Sequence, residues 1–318
     1  MAQDHSLLGG GPFTVAEGVR AGLPRAVIDS PHLARPFHGL RVPRDTEADP
    51  DAHPVAQVHA AILRSARLFS AHMHEQEFFS HSTAALMWGI PLPGLPSTDV
   101  HVSVLAPHRA PRGRGVRGHQ LGARAVNRSR HEALALTDAA TTWSLLAAEL
   151  RHPYDLVAAA DAVMRAERMP GPRSRILRPR LAGHAELAAA IAPGRRGAVA
   201  LREALDRARP GAASRMETWM RLIVVDAGLP EPVLDHDVHD EFGEFLGCLD
   251  GAYPELRVGL EYEGDHHRTD ERQWQRDILK HDSMARVGWR IIRVTKDQLL
   301  RDPGAFTARV RGALRAAS

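Results

Sequence analysis

The sequence predicts an α/β protein, α+β overall, built as a small helix-and-hairpin module, a mixed middle domain and a C-terminal mixed sheet flanked by helices. Three observations predict this. The chain has 318 residues, 44% hydrophobic and 25% charged, which is enough for more than one core. Its apolar pattern switches repeatedly between the helical period of 3.6 and the strand period of 2. Two polar stretches carrying proline, residues 44–54 (RDTEADPDAHP) and 207–213 (RARPGAA), read as boundaries, giving parts at 1–48, 49–211 and 212–318.

Composition removes several classes. No apolar run reaches the ~18 residues of a membrane span. The N-terminal MAQDHSLLGGG lacks the basic and apolar regions of a secretory leader, so the expectation is a cytoplasmic protein with no membrane partner. A single cysteine, Cys248, excludes an intrachain disulfide and a multi-cysteine metal site. The net charge of +3 is unevenly spread: of 41 Lys+Arg and 38 Asp+Glu, residues 212–318 hold 15 and 19, leaving 26 and 19 in the rest. A basic front suits a polyanion, and an acidic rear suits gathered carboxylates. Only Lys280 and Lys296 are lysines, so much of the arginine content also reflects codon usage.

In the first part, Thr14 and Glu17 form a capping box opening a helix that ends near Gly22. Pro24 starts a second helix to about Ile28, and Pro31 stops it. Leu33, Arg35 and Phe37, then His38-Gly39, then Leu40 and Val42 read as strand, tight turn, strand. This is the outline of a small winged helix, with Arg35 and Arg41 flanking the wing; a plain helical cap is the other reading. The middle part carries a helix at 82–88, a strand at 100–105, an Arg/Gly loop at 107–118 (PHRAPRGRGVRG), helices at 137–150 and 154–168, and a basic stretch at 173–180. Arg112, Arg114 and Arg117 of the loop are candidate phosphate contacts, against the alternative of a solvated loop.

The third part is richest. Ser214 and Glu217 cap a helix whose apolar face is Trp219, Leu222 and Ile223, ended by Gly228 and Pro230. Strands follow at 233–238, 245–252 and 257–263, then a polar helix at 270–287, a strand at 289–294, a short helix capped by Thr295 and Gln298, and a last helix from Pro303. Alternation puts Val258, Leu260 and Tyr262 on one face, Glu261 and Glu263 on the other. Pairing of the second and third strands as a hairpin sets Asp250 opposite or diagonal to Glu261. Clustered acids repel by ~1–4 kcal/mol at 4 Å in a partly wet site. They therefore call for a divalent cation such as Mg²⁺ or Mn²⁺, an arginine or a raised pKa, unless they merely line a solvated sheet face.

The order of Asp250, Glu261-x-Glu263-Gly264, His266-His267, then Trp274, Asp277, Lys280 and GWRIIRV resembles a Vsr-like endonuclease domain. It is most similar to domain of unknown function 559, with the fold of the PD-(D/E)xK restriction-endonuclease superfamily, over about 212–316. More faintly, residues 13–165 resemble AbiEi-type antitoxins through FTVAEGVRAGLP, RPFHGLRVP, FFSHSTAALMWGI and VHVSV. The resemblance implies Asp250 and Glu261 as metal-binding acids and Glu217 as a helix acid, although Glu217 also suits its capping box. It places Glu263 where the superfamily has its lysine, a departure that leaves the lysine's role unassigned. Lys280 or Arg276 could supply that charge from the helix, or Lys280 could pair with Asp277. His266 or His267 could carry a proton, or be a surface pair beside a turn. The expected function is a metal-dependent DNA endonuclease, with RNA open as a substrate. The alternative is a non-enzymatic DNA-binding regulator or antitoxin-like protein that keeps the fold as a scaffold.

Overall fold

The computed structural model describes residues 11–44, 53–264 and 271–318, with backbone alone for 271–277. The chain is an α/β protein of two compact units, Met1–Glu149 and Leu150–Ser318.

The first unit begins with β1 (Phe13–Thr14), α1 (Val15–Arg20), α2 (Arg25–Ile28), β2 (Leu33–Ala34) and β3 (Leu40–Pro43), the strands ordered β1-β3-β2. The Thr14/Glu17 capping box is present: the Thr14 hydroxyl accepts from Glu17 N at 3.0 Å and the Glu17 carboxylate accepts from Thr14 N at 2.7 Å. Phe13, Leu23, Val27, Ile28 and Leu33 close a small core. Phe37, Leu40 and Val42 point instead into a second core, with Ala66, Phe79, Val100 and Val102. The hairpin is thereby tied to the elements that follow: α3 (Pro54–Ser70), β4 (Phe78–Phe79), α4 (His81–Met87), β5 (Val100–Leu105), β6 (Val116–Leu121), β7 (Arg128–His131), β8 (Leu134–Thr137) and α5 (Ala139–Leu146). The sheet order is β6-β5-β4-β8-β7, with β5–β6 and β4–β8 parallel. The loop expected at 107–118 ends earlier, because Val116 onward pairs with β5.

The second unit runs α6 (Pro153–Met164), β9 (Glu167–Arg168), β10 (Ile176–Arg178), α7 (His184–Ala190), α8 (Ala198–Arg207) and α9 (Arg215–Asp226). Next come β11 (Val233–His239), β12 (Phe245–Tyr253), β13 (Val258–Glu263), α10 (Glu271–Arg286), β14 (Arg290–Thr295), α11 (Lys296–Arg301) and α12 (Pro303–Ala317). The sheet is mixed: β11-β12-β13 antiparallel, β14 parallel to β13 with α10 as the crossover. One face packs on α9, α11 and α12 through Trp219, Ile223, Leu260, Val294, Phe306, Val310 and Leu314. The i, i+4, i+8 spacing of the last three puts them on one stripe, each contributing ~1.5–3 kcal/mol by burial. The other face, with Val238, Leu249 and Ala252, is covered from α10 by Met284.

The boundary expected at 207–213 falls inside this second unit. Arg209 N donates to Asp161 Oδ1 at 2.6 Å, and Asp161 Oδ2 also accepts from Thr218 at 2.8 Å and Arg221 at 3.1 Å. Arg221 and Asp161 are each 1% exposed, so this pair fastens α6 to α9. Removing one partner of such a pair typically costs ~3–5 kcal/mol. Pro210-Gly211 is a turn inside this unit, with Pro210 exposed and Gly211 packed against Leu234, not a linker between units. Among the described residues, no helix is long and apolar enough to cross a membrane.

Candidate active site

The β12–β13 register ends with Gly251 paired to Leu260, and Asp250 and Glu261 are the next residues on the two strands. Asp250 Oδ2 accepts from Tyr262 N at 2.7 Å. Glu217, in the first turn of α9, is buried; Ser214 accepts from its backbone N at 3.2 Å while its carboxylate accepts from Ala213 N at 2.6 Å. Burial, the charge of Glu217 and the charge of Glu261 push Asp250 well above the usual carboxylate range. Burial raises Glu217 as well, against the Ala213 hydrogen bond. The acids that converge are therefore Glu217, Asp250 and Glu261.

Glu261 is buried yet held below its ordinary value: burial works to raise it, and the His281 hydrogen bond with the Lys280 charge outweighs burial. Lys280 Nζ donates to Glu261 Oε1, and His281 Nε2 lies 2.6 Å from Glu261 Oε2. Lys280, on α10, thus brings an ammonium to Glu261 across the sheet face. Gly247 on β12 makes room for it: its φ is +150°, and a Cβ there would lie 2.9 Å from Lys280 Cγ and 3.0 Å from Met284 Cε.

One expectation changes. Glu263 does not join Asp250; it is half-buried and ion-paired to Arg293 of β14, which lowers its pKa. Parallel pairing of β13 with β14 puts that guanidinium beside the strand end. Lys280 is ion-paired to Glu261. His281 was missed by the sequence reading because its significance depends on where α10 crosses the sheet. His266 and His267 lie outside the described residues, as do the side chains of Arg276 and Asp277.

In the first unit, Arg35 is exposed and donates to Asp29 O at 3.0 Å, while Arg112, Arg114 and Arg117 are exposed as expected. Arg25, Arg35 and Arg114 line one groove of about 790 Å³ with His38. Arg41, expected as a surface cation beside the wing, is buried; its guanidinium donates to Ile28 O at 2.7 Å, Leu40 O at 3.1 Å and Asp29 at 3.0 Å. Those bonds replace the water it would otherwise keep, so Arg41 ties the hairpin to α2.

A second cluster sits where α4 meets β5 and β6. Among the described residues, the one group of three or more His, Cys, Asp or Glu whose ligand atoms all lie within 4.8 Å of one another is His81, His101 and His119. Burial drives His101 down to about 3 and His119 down to about 4, so both rings are neutral.

No protein-family profile matches the chain. Two uncharacterized proteins of Mycobacterium tuberculosis, one from each of two strains, are 35% identical to it over 173 residues. That stretch is 54% of this chain and 59% of each relative, so the chain spans under two thirds of the curated relatives it matches.

Proposed function

We propose that the second unit is a divalent-cation-dependent phosphodiesterase acting on DNA, of the Vsr-like, restriction-endonuclease-like kind. The observation that carries this reading is Asp250 at the end of the β12–β13 ladder, close enough to Glu217 and Glu261 that both charges raise its pKa. Repelling, enclosed carboxylates are an all-oxygen donor set that a hard cation, Mg²⁺ or Mn²⁺, relieves. Asp250 and Glu261 would hold that ion, with Glu217 adding charge. Bound there, it would supply polarisation of a phosphoryl oxygen and activation of a water. Lys280, whose Nζ donates to Glu261, would take the charge-stabilising role of the superfamily lysine from a different element. His281, 2.6 Å from Glu261, is placed to hold or move a proton. The exposed arginines around the first unit's groove support a DNA partner through phosphate contacts.

One observation favours the alternative regulator reading: Lys280 and His281 occupy both oxygens of Glu261. Nicking of supercoiled plasmid by the full chain separates the two. The proposal expects cleavage with Mg²⁺ or Mn²⁺, none with EDTA and none from Glu261→Gln. Wild-type protein that binds DNA but leaves plasmid, single strands and RNA intact with either cation would establish the regulator.

A further inference from the structure

We propose that His81, His101 and His119 form a Zn²⁺ site in the first unit, separate from the carboxylate site. The three rings come from three elements: His81 opens α4, His101 lies on β5 and His119 on β6. Parallel pairing sets His119 against Ser103, two residues from His101, so both imidazoles stand on one face of the sheet. The opposite face presents Val100 and Val102 to the apolar core. A polar layer of histidine and serine is thus enclosed on a sheet whose other side is aliphatic.

The spacing suits a tetrahedral ion. Zn–N bonds of 2.0–2.1 Å place two ligating nitrogens about 3.4 Å apart. His119 Nε2 and His101 Nδ1 lie 3.3 Å apart. With all three ligand atoms within 4.8 Å, the widest pair needs to close by no more than about 1.4 Å. The His81 and His119 rings stack at 3.9 Å and would turn slightly to converge their edges.

The surroundings orient each ring as the partners of metal-binding histidines do. Ser80 Oγ lies 2.8 Å from His81 Nδ1 and 2.6 Å from Ser103 Oγ, which assigns Nε2 as the His81 ligand atom. His101 turns Nε2 toward Glu149 Oε2, at 3.7 Å, and Nδ1 toward His119. Glu149 is fixed in turn by Ser82 N at 3.1 Å. Its carboxylate offsets the nearby exposed Arg117, which acts against a cation here. His81 is held at φ +53°, in the left-handed region that non-glycine residues rarely adopt. Three imidazoles are a borderline donor set that favours Zn²⁺ over Mg²⁺, and three protein ligands leave the fourth position to water or a small anion.

The test uses the full chain, stripped with EDTA and titrated with Zn²⁺ in excess Mg²⁺, which saturates oxygen-donor sites. One Zn²⁺ per chain and a raised Tm are expected, because binding to the native state alone stabilises it. His119→Gln and His101→Gln should bind Zn²⁺ at least tenfold more weakly, and Asp250→Asn should bind it as the wild type does. Co²⁺ in the wild-type protein needs no variant and should give intense tetrahedral visible bands. Absence of stoichiometric Zn²⁺, an octahedral Co²⁺ spectrum, or Zn²⁺ lost from Asp250→Asn but kept by both histidine variants would overturn the proposal.

Discussion

The two buried clusters, one in each unit, respond to enclosure in opposite directions. Burial of His101 and His119 removes protons, leaving neutral bases with lone pairs to offer. Burial of Glu217 and Asp250 shifts them toward the protonated form, because the charged form is the one that loses hydration. Glu261 escapes that rule because Lys280 and His281 reach it. Nitrogen donors meet on the polar face of a sheet whose other face is core; oxygen donors meet where a helix N-terminus, a hairpin and a crossover helix converge. Enclosure alone does not specify an ion; the donor atoms do, and here they separate a borderline cation from a hard one.

The largest expected effect falls on cleavage. Asp250→Asn or Glu261→Gln should lower plasmid nicking more than ~100-fold, beyond the 10–100-fold typical of groups that only orient ligands. His119→Gln should leave nicking within a few-fold, and equal losses in all three would erase the division between the clusters.

Next is acid sensitivity. The folded pKa values of His101 and His119, about 3 and about 4, lie below the unfolded value of 6.5. Between these values the unfolded chain binds more protons, so stability is present above pH 6.5 and drains as pH falls toward 4, by on the order of 3 kcal/mol. Chemical denaturation followed from pH 7.5 to 4.5 should show this loss, and His101→Phe should flatten it.

Asp250 has the opposite sign. Its folded pKa is raised, so the native state binds more protons and loses stability as pH rises from the unfolded value through the folded one. Asp250→Asn should therefore raise the Tm of the cation-free protein at neutral pH while abolishing its response to Mn²⁺. A lower Tm would show that the carboxylate is stabilising as it stands.

The smallest effects concern the basic surface. Arg35→Ala and Arg114→Ala should each weaken duplex DNA binding a few-fold and reduce the salt slope by about 1. Arg41→Ala should instead act on stability, through the carbonyls of Ile28 and Leu40. DNA affinity unchanged in both exposed variants would separate the groove from the substrate path.

Local signals explain why much of this fold was legible. The Thr14 and Thr295 capping boxes, the Gly228 stop and the alternation of residues 258–263 are written within a few residues, and each appears where the chain predicts it. Asp250 facing Glu261 followed from a hairpin, which is also local. The rest depended on contacts between distant segments. Glu217 read as a cap because its other charged neighbours, Asp235 and Asp250, come from β11 and β12. The histidines at 81, 101 and 119 carry no short motif. Lys280 did leave a trace: in a chain with two lysines, one lies on the acid strand's partner helix. Residues 207–213 misled because proline and glycine mark a turn whether it is exposed or packed.

The central claim, that Glu217, Asp250 and Glu261 form a hard-cation site, is tested most directly by calorimetric titration of Mn²⁺ into the full chain with Zn²⁺ already bound. Saturable Mn²⁺ binding that disappears in Asp250→Asn and in Glu261→Gln but persists in His119→Gln is predicted. Equal Mn²⁺ binding by wild type and Asp250→Asn, or none by the wild type, would contradict it.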